Sequence, residues 1–210
     1  MNQSTQAGKR EQKSERARAT ICKATVSCLA ELGYAETSIN RVVERAGVSK
    51  GALQHHFPSK EDLMASAADY LLAKPLHYAD QAKRQPDRDL RARFLRIWDT
   101  LTNTSSYLAL LEILIASRTD RVLHRRIAGE LASSIHDIDD HFLTLYDTEN
   151  TESRTELREL MCANRCFMRG LLIEEQYGLS KTQQREVLER WLNLIVPRFE
   201  ALNAQPAING

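Results

Sequence analysis

Helix-capping and helix-breaking residues crowd the stretch from position 33 to position 59, where Gly33, Ser38, Gly47, Ser49, Pro58 and Ser59 leave room only for short helices. Ahead of them, from Ser14, the pattern is helical, with Ile21, Cys22, Thr25, Cys28, Leu29 and Leu32 recurring at spacings of three and four. Gly33 supplies a left-handed position that ends this first helix. A second opens at Thr37 or Ser38 and places Ile39, Val42, Val43 and Ala46 on one face before Gly47 stops it. Only Val48 separates that glycine from Ser49, the cap of a third helix that runs to about Phe57, where Pro58 forbids smooth continuation. Ser59 caps a fourth, with Asp62 closing a capping box. Short helices joined by a glycine turn make a helix-turn-helix over residues 38–57.

The periodicity beyond residue 60 is helical throughout, and no segment alternates with period two. Helices are expected over about 59–84, 87–102, 104–118, 120–147, 153–177 and 181–203, with breaks at Gln85-Pro86-Asp87, from Thr148 to Ser153, and at Gly178; Pro75 and Pro197 should kink or interrupt theirs. The fold class is all-α. Residues 1–13 read as a flexible basic arm, 14–74 as a domain built on the three helices around the helix-turn-helix, and 75–210 as a larger helical domain.

Charge is divided to match. The chain totals +1, from 29 basic and 28 acidic residues, but residues 1–60 hold ten Lys/Arg against five Asp/Glu, a local +5 that leaves −4 on the remainder. A basic N-terminal segment on an acidic body suits a polyanionic partner at one end only. The N-terminus lacks the apolar core of a signal peptide, so a cytoplasmic location with Cys22, Cys28, Cys162 and Cys166 as free thiols is expected. No membrane contact is expected, because the most apolar stretch, Tyr107 to Ala116, is about half the ~20 residues a span requires and contains Glu112.

The third helix carries the most specific chemistry. Leu53 and Phe57 can anchor it, leaving Ser49, Lys50, Ala52, Gln54, His55 and His56 free. Small side chains allow close approach to a major groove, an amide can bond adenine edges, and Ala52 can meet a thymine methyl. Phosphate contacts are expected where helices begin, at Thr37 and Ser38, at Ser49 and Lys50, and at Ser59 and Lys60. Arg41 and the basic residues Lys9, Arg10, Lys13, Arg16 and Arg18 add sequence-independent attraction. The candidate DNA-binding set is therefore Thr37, Ser38, Arg41, Ser49, Lys50, Ala52, Leu53, Gln54, His55, His56 and Lys60.

In order and spacing, Leu32-Gly33-Tyr34, Thr37-Ser38-Ile39, Ala46 to Gly51, and Leu53 to Leu63 resemble the DNA-binding region of TetR-family transcriptional regulators, over roughly residues 14–65. The resemblance implies an all-α homodimer whose C-terminal domain binds a small molecule that releases the DNA. It also implies that Gln54 stands where most members carry a tyrosine that bonds a phosphate.

Signals elsewhere in the chain are weaker. Adjacent His55 and His56 diverge by about 100° on a helix and have no third ligand nearby, so no metal or cofactor is expected. Two late stripes, Leu157 to Leu172 and Val187 to Leu202, suit either their own core or a four-helix bundle with a second subunit through residues 153–177 and 181–203. An effector site would draw on Phe94, Trp98, Tyr107, Glu112, Phe142, Met161, Cys162 and Phe167, with the Glu112 carboxylate orienting a cationic or hydrogen-bonding ligand. Cys162 and Cys166, four apart beside Arg165 and Arg169, raise a thiol redox sensor in place of ligand control. The pattern is also compatible with an effector-independent DNA-binding regulator or a helical interaction module. No phosphate-cradling loop, nucleophile elbow or metal cluster argues for an enzyme.

Overall fold

A computed structural model describes residues 3–84, 89–144 and 150–203 of the chain. The described residues form nine α-helices and no strand: α1 (Gln3–Glu36), α2 (Ile39–Ala46), α3 (Lys50–His56), α4 (Lys60–Arg84), α5 (Leu90–Ile97), α6 (Ser105–Ser117), α7 (Arg121–Leu143), α8 (Thr151–Glu174) and α9 (Lys181–Asn203). A π-helical turn, Trp98–Thr102, extends α5, and a 3₁₀ turn, Glu175–Tyr177, follows α8. The expected breaks at Gln85-Pro86-Asp87 and at Thr148 and residue 149 lie outside the described residues. Helix α8 starts where Asn150 accepts hydrogen bonds from the Glu152 and Ser153 N–H groups.

Three sequence expectations change. Over Gln3–Lys13 the backbone continues α1 instead of forming a flexible arm. Gln, Ala, Lys, Arg and Glu are strong helix formers, and a helix already packed further along needs no apolar face to extend. Pro75 and Pro197 lie inside α4 and α9 without ending them. Each removes one backbone donor, while buried residues hold the helix, Leu71 and Leu72 in the turn before Pro75 and Ile195 and Phe199 on either side of Pro197. Finally, the chain divides into one compact unit of residues 1–73 and 105–132 and another of 74–104 and 133–210. The stretch 75–210 is thus not a single unit: α6, almost wholly apolar, packs along α1 in the first.

Two apolar clusters build the first unit. In one, Ile21, Cys22 and Cys28 of α1 meet Val42, Leu53, Phe57 and Leu63, which fixes α2, α3 and the start of α4 around a common centre. In the other, Val26 and Leu29 of α1 meet Met64, Ala67 and Leu71 of α4, Leu110 and Ile113 of α6, and Leu123 and Ile127 of α7. Helix α1 thus presents one face to the helix-turn-helix and another to α6. Each fully buried Leu, Ile or Phe contributes about 1.5–3 kcal/mol.

In the second unit, Phe94 packs on Phe199 with ring centres 5.2 Å apart, and Phe167 stacks on Trp191 at 4.5 Å. The Trp191 indole N–H donates to Asn164 Oδ1 at 2.9 Å, so the buried asparagine is satisfied within the α8–α9 pair. Leu157, Met168, Leu171, Leu188, Leu192, Ile195 and Phe199 are buried within this chain, whereas Val187 and Leu194 are exposed. No helix among the described residues is long and apolar enough to cross a membrane.

Candidate nucleic-acid interface

Serines start the two helices of the helix-turn-helix. Ser38 Oγ accepts the Arg41 N–H at 3.3 Å, and Ser49 Oγ accepts the Ala52 N–H at 3.1 Å. Gly47 closes α2 at φ 66°, ψ 30°, and its N–H reaches the Glu44 and Val43 carbonyls. At α4, Ser59 Oγ accepts the Asp62 N–H while Asp62 Oδ2 accepts the Ser59 N–H, both at 3.1 Å, which completes the expected capping box.

Leu53 and Phe57 are buried and anchor α3. Ser38, Arg41, Ser49, Lys50, Ala52, Gln54 and His55 are exposed and His56 is half-buried, so the structure gathers most of the expected set on the outside of α2 and α3. The His56 ring lies between those of His55 and Phe57, at 5.4 and 6.2 Å. Burial, with His55 and Arg18 nearby, lowers its imidazole pKa, so at neutral pH it is a hydrogen-bonding group and not a cation.

Three members of the set are placed differently. Thr37 is fully buried and its hydroxyl donates to the Gly33 carbonyl at 2.7 Å, which leaves the α2 cap to Ser38. Leu53 is 0% exposed and cannot reach a base edge. Lys60 Nζ donates to the Tyr34 carbonyl at 3.0 Å and lies 4.4 Å from the centre of the Tyr34 ring, so its ammonium is engaged inside the protein. Burial lowers its pKa. Of the basic residues ahead of the motif, Lys13 and Arg16 are exposed, and Arg18 lies over the Phe57 ring at 5.0 Å. The side chains of Lys9 and Arg10 lie outside the described residues.

Sequence reasoning missed Tyr34, which joins four helices. Its N–H donates to Glu112 Oε2 of α6 at 2.8 Å, its carbonyl accepts from Lys60 of α4, and its hydroxyl donates to Asp120 Oδ2 at 3.2 Å. Asp120 Oδ1 in turn caps α7 through the Val122 and Leu123 N–H groups. Burial and the Asp120 carboxylate push the Tyr34 phenol up to about 12. The preceding Gly33, at φ 74° and ψ 174°, adopts a conformation essentially reserved for glycine, and a Cβ there would lie 3.1 Å from Glu112 Oε2. Gly33 therefore breaks the helix as expected, but with extended ψ and not the left-handed cap. The only sequence signal for this junction was the glycine itself.

The expected effector residues are divided between the units. Tyr107 belongs to the α1–α6 cluster and Glu112 to the Tyr34 junction, so Glu112 is a structural acceptor and not a ligand-orienting carboxylate. Phe94, Trp98, Phe142, Met161, Cys162 and Phe167 belong to the second unit, with Trp98 buried, Phe142, Met161 and Phe167 half-buried, and Cys162 exposed. Cys166 is exposed as well, and of the two arginines expected to activate these thiols, Arg165 is already paired, forking onto Asp139 at 2.7 and 3.3 Å. Among the described residues no three His, Cys, Asp or Glu side chains group as metal ligands.

Comparison with known proteins agrees with this geometry. The family model for bacterial regulatory proteins of the tetR family matches residues 21–67, from the middle of α1 into α4. An uncharacterized HTH-type transcriptional regulator of Mycobacterium tuberculosis is 33% identical over 132 residues, which cover 60% of this chain and 68% of the relative. Among solved structures, NalD, the secondary repressor of the MexAB-OprM multidrug efflux pump in Pseudomonas aeruginosa, aligns at a TM-score of 0.62 and 19% identity, covering 90% of this chain and 96% of its own. The multidrug binding protein EbrR, complexed with imidazole, aligns at a TM-score of 0.58 and 21% identity, covering 92% and 98%.

Proposed function

The chain belongs to the TetR family of bacterial regulatory proteins, and from that membership we propose a cytoplasmic homodimeric repressor that binds a pseudopalindromic operator and is released by a small-molecule effector. The observation that carries the DNA-binding part is the outer surface of α2 and α3: two serine-capped helix starts flank an exposed face of Lys50, Ala52, Gln54 and His55. Ser38, Arg41, Ser49 and Lys50 contact phosphates, and Ala52, Gln54, His55 and His56 read bases.

Dimerisation uses α8 and α9, where Val187 and Leu194 remain exposed beside half-buried Phe167 and Trp191. It holds two recognition helices about 34–36 Å apart for two half-sites. Phe94, Trp98, Phe142, Met161 and Phe167 line the effector site. Release passes through Tyr34: a shift of α6 or α7 acts on Glu112 or Asp120, and through them on the end of α1 that leads into α2. Support for a ligand-released repressor comes from NalD, described as a repressor, and EbrR, described as multidrug binding.

The test is fluorescence anisotropy of a duplex from upstream of the protein's own gene, titrated with the whole chain at several salt concentrations and then with imidazole and tetraphenylphosphonium as effector probes that do not intercalate into the duplex. Tight binding that weakens steeply with salt and is reversed by at least one probe is the expected result. Salt-independent binding would sink the DNA assignment, and an affinity that no probe changes would count against ligand release.

A further inference from the structure

The acidic part of the chain contains a basic stretch where α6 gives way to α7. Residues 117–126, Ser-Arg-Thr-Asp-Arg-Val-Leu-His-Arg-Arg, hold four arginines and a histidine against one acid. Ser117, Arg118, Arg121, His124 and Arg125 line an open depression of about 570 Å³ where α6 ends and α7 begins. That one acid, Asp120, is engaged in capping α7 and in accepting the Tyr34 hydroxyl. Arg126 is paired with Asp62. Arg118, Arg121 and Arg125 are exposed, with no carboxylate within ion-pair distance among the described residues. Three permanent, uncompensated cations around one concavity attract an anion.

The placement of α7 says which anion. Arg126 is paired with Asp62 in the first turn of α4, and one turn further along α7 Glu130 lies near enough to Asp69 to add to the effect of burial in raising its carboxyl pKa. Helices α4 and α7 therefore run side by side in the same direction, with their first turns at one end. That end of α4 is joined to α3 by residues 57–59 alone. The arginines thus lie at the helix-turn-helix end of their unit. Arg121 and Arg125, one turn apart, are separated by about 6 Å along the helix axis, close to the rise of two nucleotides at about 3.4 Å each.

We propose that Arg118, Arg121, His124 and Arg125 form a second phosphate-binding surface that contacts the DNA backbone beside the groove entered by α3. The proposal rests on the reading of this chain as a DNA-binding regulator. It gives an otherwise acidic body a local, sequence-independent grip on the duplex, made by helices α6 and α7 that also hold Tyr34.

The experiment compares full-length wild type with Arg118→Gln/Arg121→Gln/Arg125→Gln and with the charge-preserving Arg118→Lys/Arg121→Lys/Arg125→Lys, on operator and unrelated duplexes across a salt series. The glutamine variant is expected to lose at least about tenfold in affinity for both duplexes, with the slope of log K against log salt shallower by about one per arginine that contacts phosphate. The lysine variant restores most of the slope, which separates lost charge from lost folding. Unchanged affinity and slope in the glutamine variant overturn the proposal. Calorimetry with inorganic pyrophosphate adds an arm: pyrophosphate binding abolished by the glutamine change while DNA binding stays intact would assign the depression to a free anion and overturn the DNA assignment. If wild type binds neither duplex at low salt, the regulator reading falls together with this one.

Discussion

The backbone N–H of Tyr34 donates to the Glu112 carboxylate at 2.8 Å, across 78 positions of sequence, and ties the end of α1 to α6. The contact forms where Gly33 turns the chain, and a Cβ at that glycine would come within 3.1 Å of the same carboxylate oxygen. Backbone conformation and side-chain acceptor therefore specify one junction.

Gly33→Ala is expected to destabilise by about 1–3 kcal/mol from the glycine-only dihedrals, with the close approach adding to it. Glu112→Ala, which leaves the Tyr34 N–H to water, should cost about 1 kcal/mol. Urea denaturation of both single variants and the double variant checks the coupling: the double should cost less than the sum, because removing the carboxylate relieves the steric part. Strict additivity would show that the two residues do not act on one junction.

Leu53→Ala opens a cavity in the helix-turn-helix core and should cost about 2–5 kcal/mol, whereas Gln54→Ala, one residue on and exposed, should leave stability within about 0.5 kcal/mol and change DNA sequence preference. Thermal unfolding alongside a selection for bound sequences separates the two. Equal stability losses would contradict the burial pattern.

Lys50→Ala and Lys60→Ala should also differ. Lys50 is exposed at the start of α3, so its loss lowers the salt slope of DNA binding by about one with little effect on stability. The Lys60 ammonium bonds the Tyr34 carbonyl, so its loss should cost about 1 kcal/mol and lower the slope by less.

Acid should loosen the first unit in two stages. Burial, with His55 and Arg18 nearby, holds the His56 pKa below its ordinary value, so the folded state binds fewer protons there than the unfolded chain. That contribution to stability is fully present above about pH 6.5 and is lost as pH falls through the lowered pKa. The Leu123 N–H and the Tyr34 hydroxyl likewise depress Asp120, whose contribution is present above about pH 4 and lost as pH falls further. Denaturation midpoints should show a smaller loss between pH 7.5 and 5 in His56→Gln, and a smaller loss below pH 4 in Tyr34→Phe.

Thiol reactivity should divide the cysteines into pairs. Burial pushes Cys22 up to about 11 and raises Cys28, while Cys162 and Cys166 are exposed. Alkylation of the native protein at pH 8, read by mass spectrometry, should modify the second pair and spare the first until denaturant is added.

The helix boundaries were legible because caps are local chemistry. Ser38, Gly47, Ser49 and the Ser59–Asp62 box each act on backbone groups within five residues, and each lies where the sequence placed it. The exposed face of α3 was legible for a related reason, since Leu53 and Phe57 at a spacing of four define its inner side. What lay hidden depends on distant partners. Tyr34 meets residues 26, 78 and 86 positions away, and no periodicity encodes those contacts. Lys60 looked free because its acceptor is one of them. Thr37 looked like a cap because it adjoins one, yet the buried position before α2 sends its hydroxyl back to Gly33.

Hydroxyl-radical footprinting of the region upstream of the protein's own gene, with wild type and Lys50→Ala/Gln54→Ala, tests the central claim most directly. Wild type should protect two half-sites with centres about one helical turn, or a multiple of it, apart, and the variant should lose both together. No protection by wild type at low salt, or a variant footprint identical to that of wild type, would contradict the assignment of α3 as the element that reads DNA.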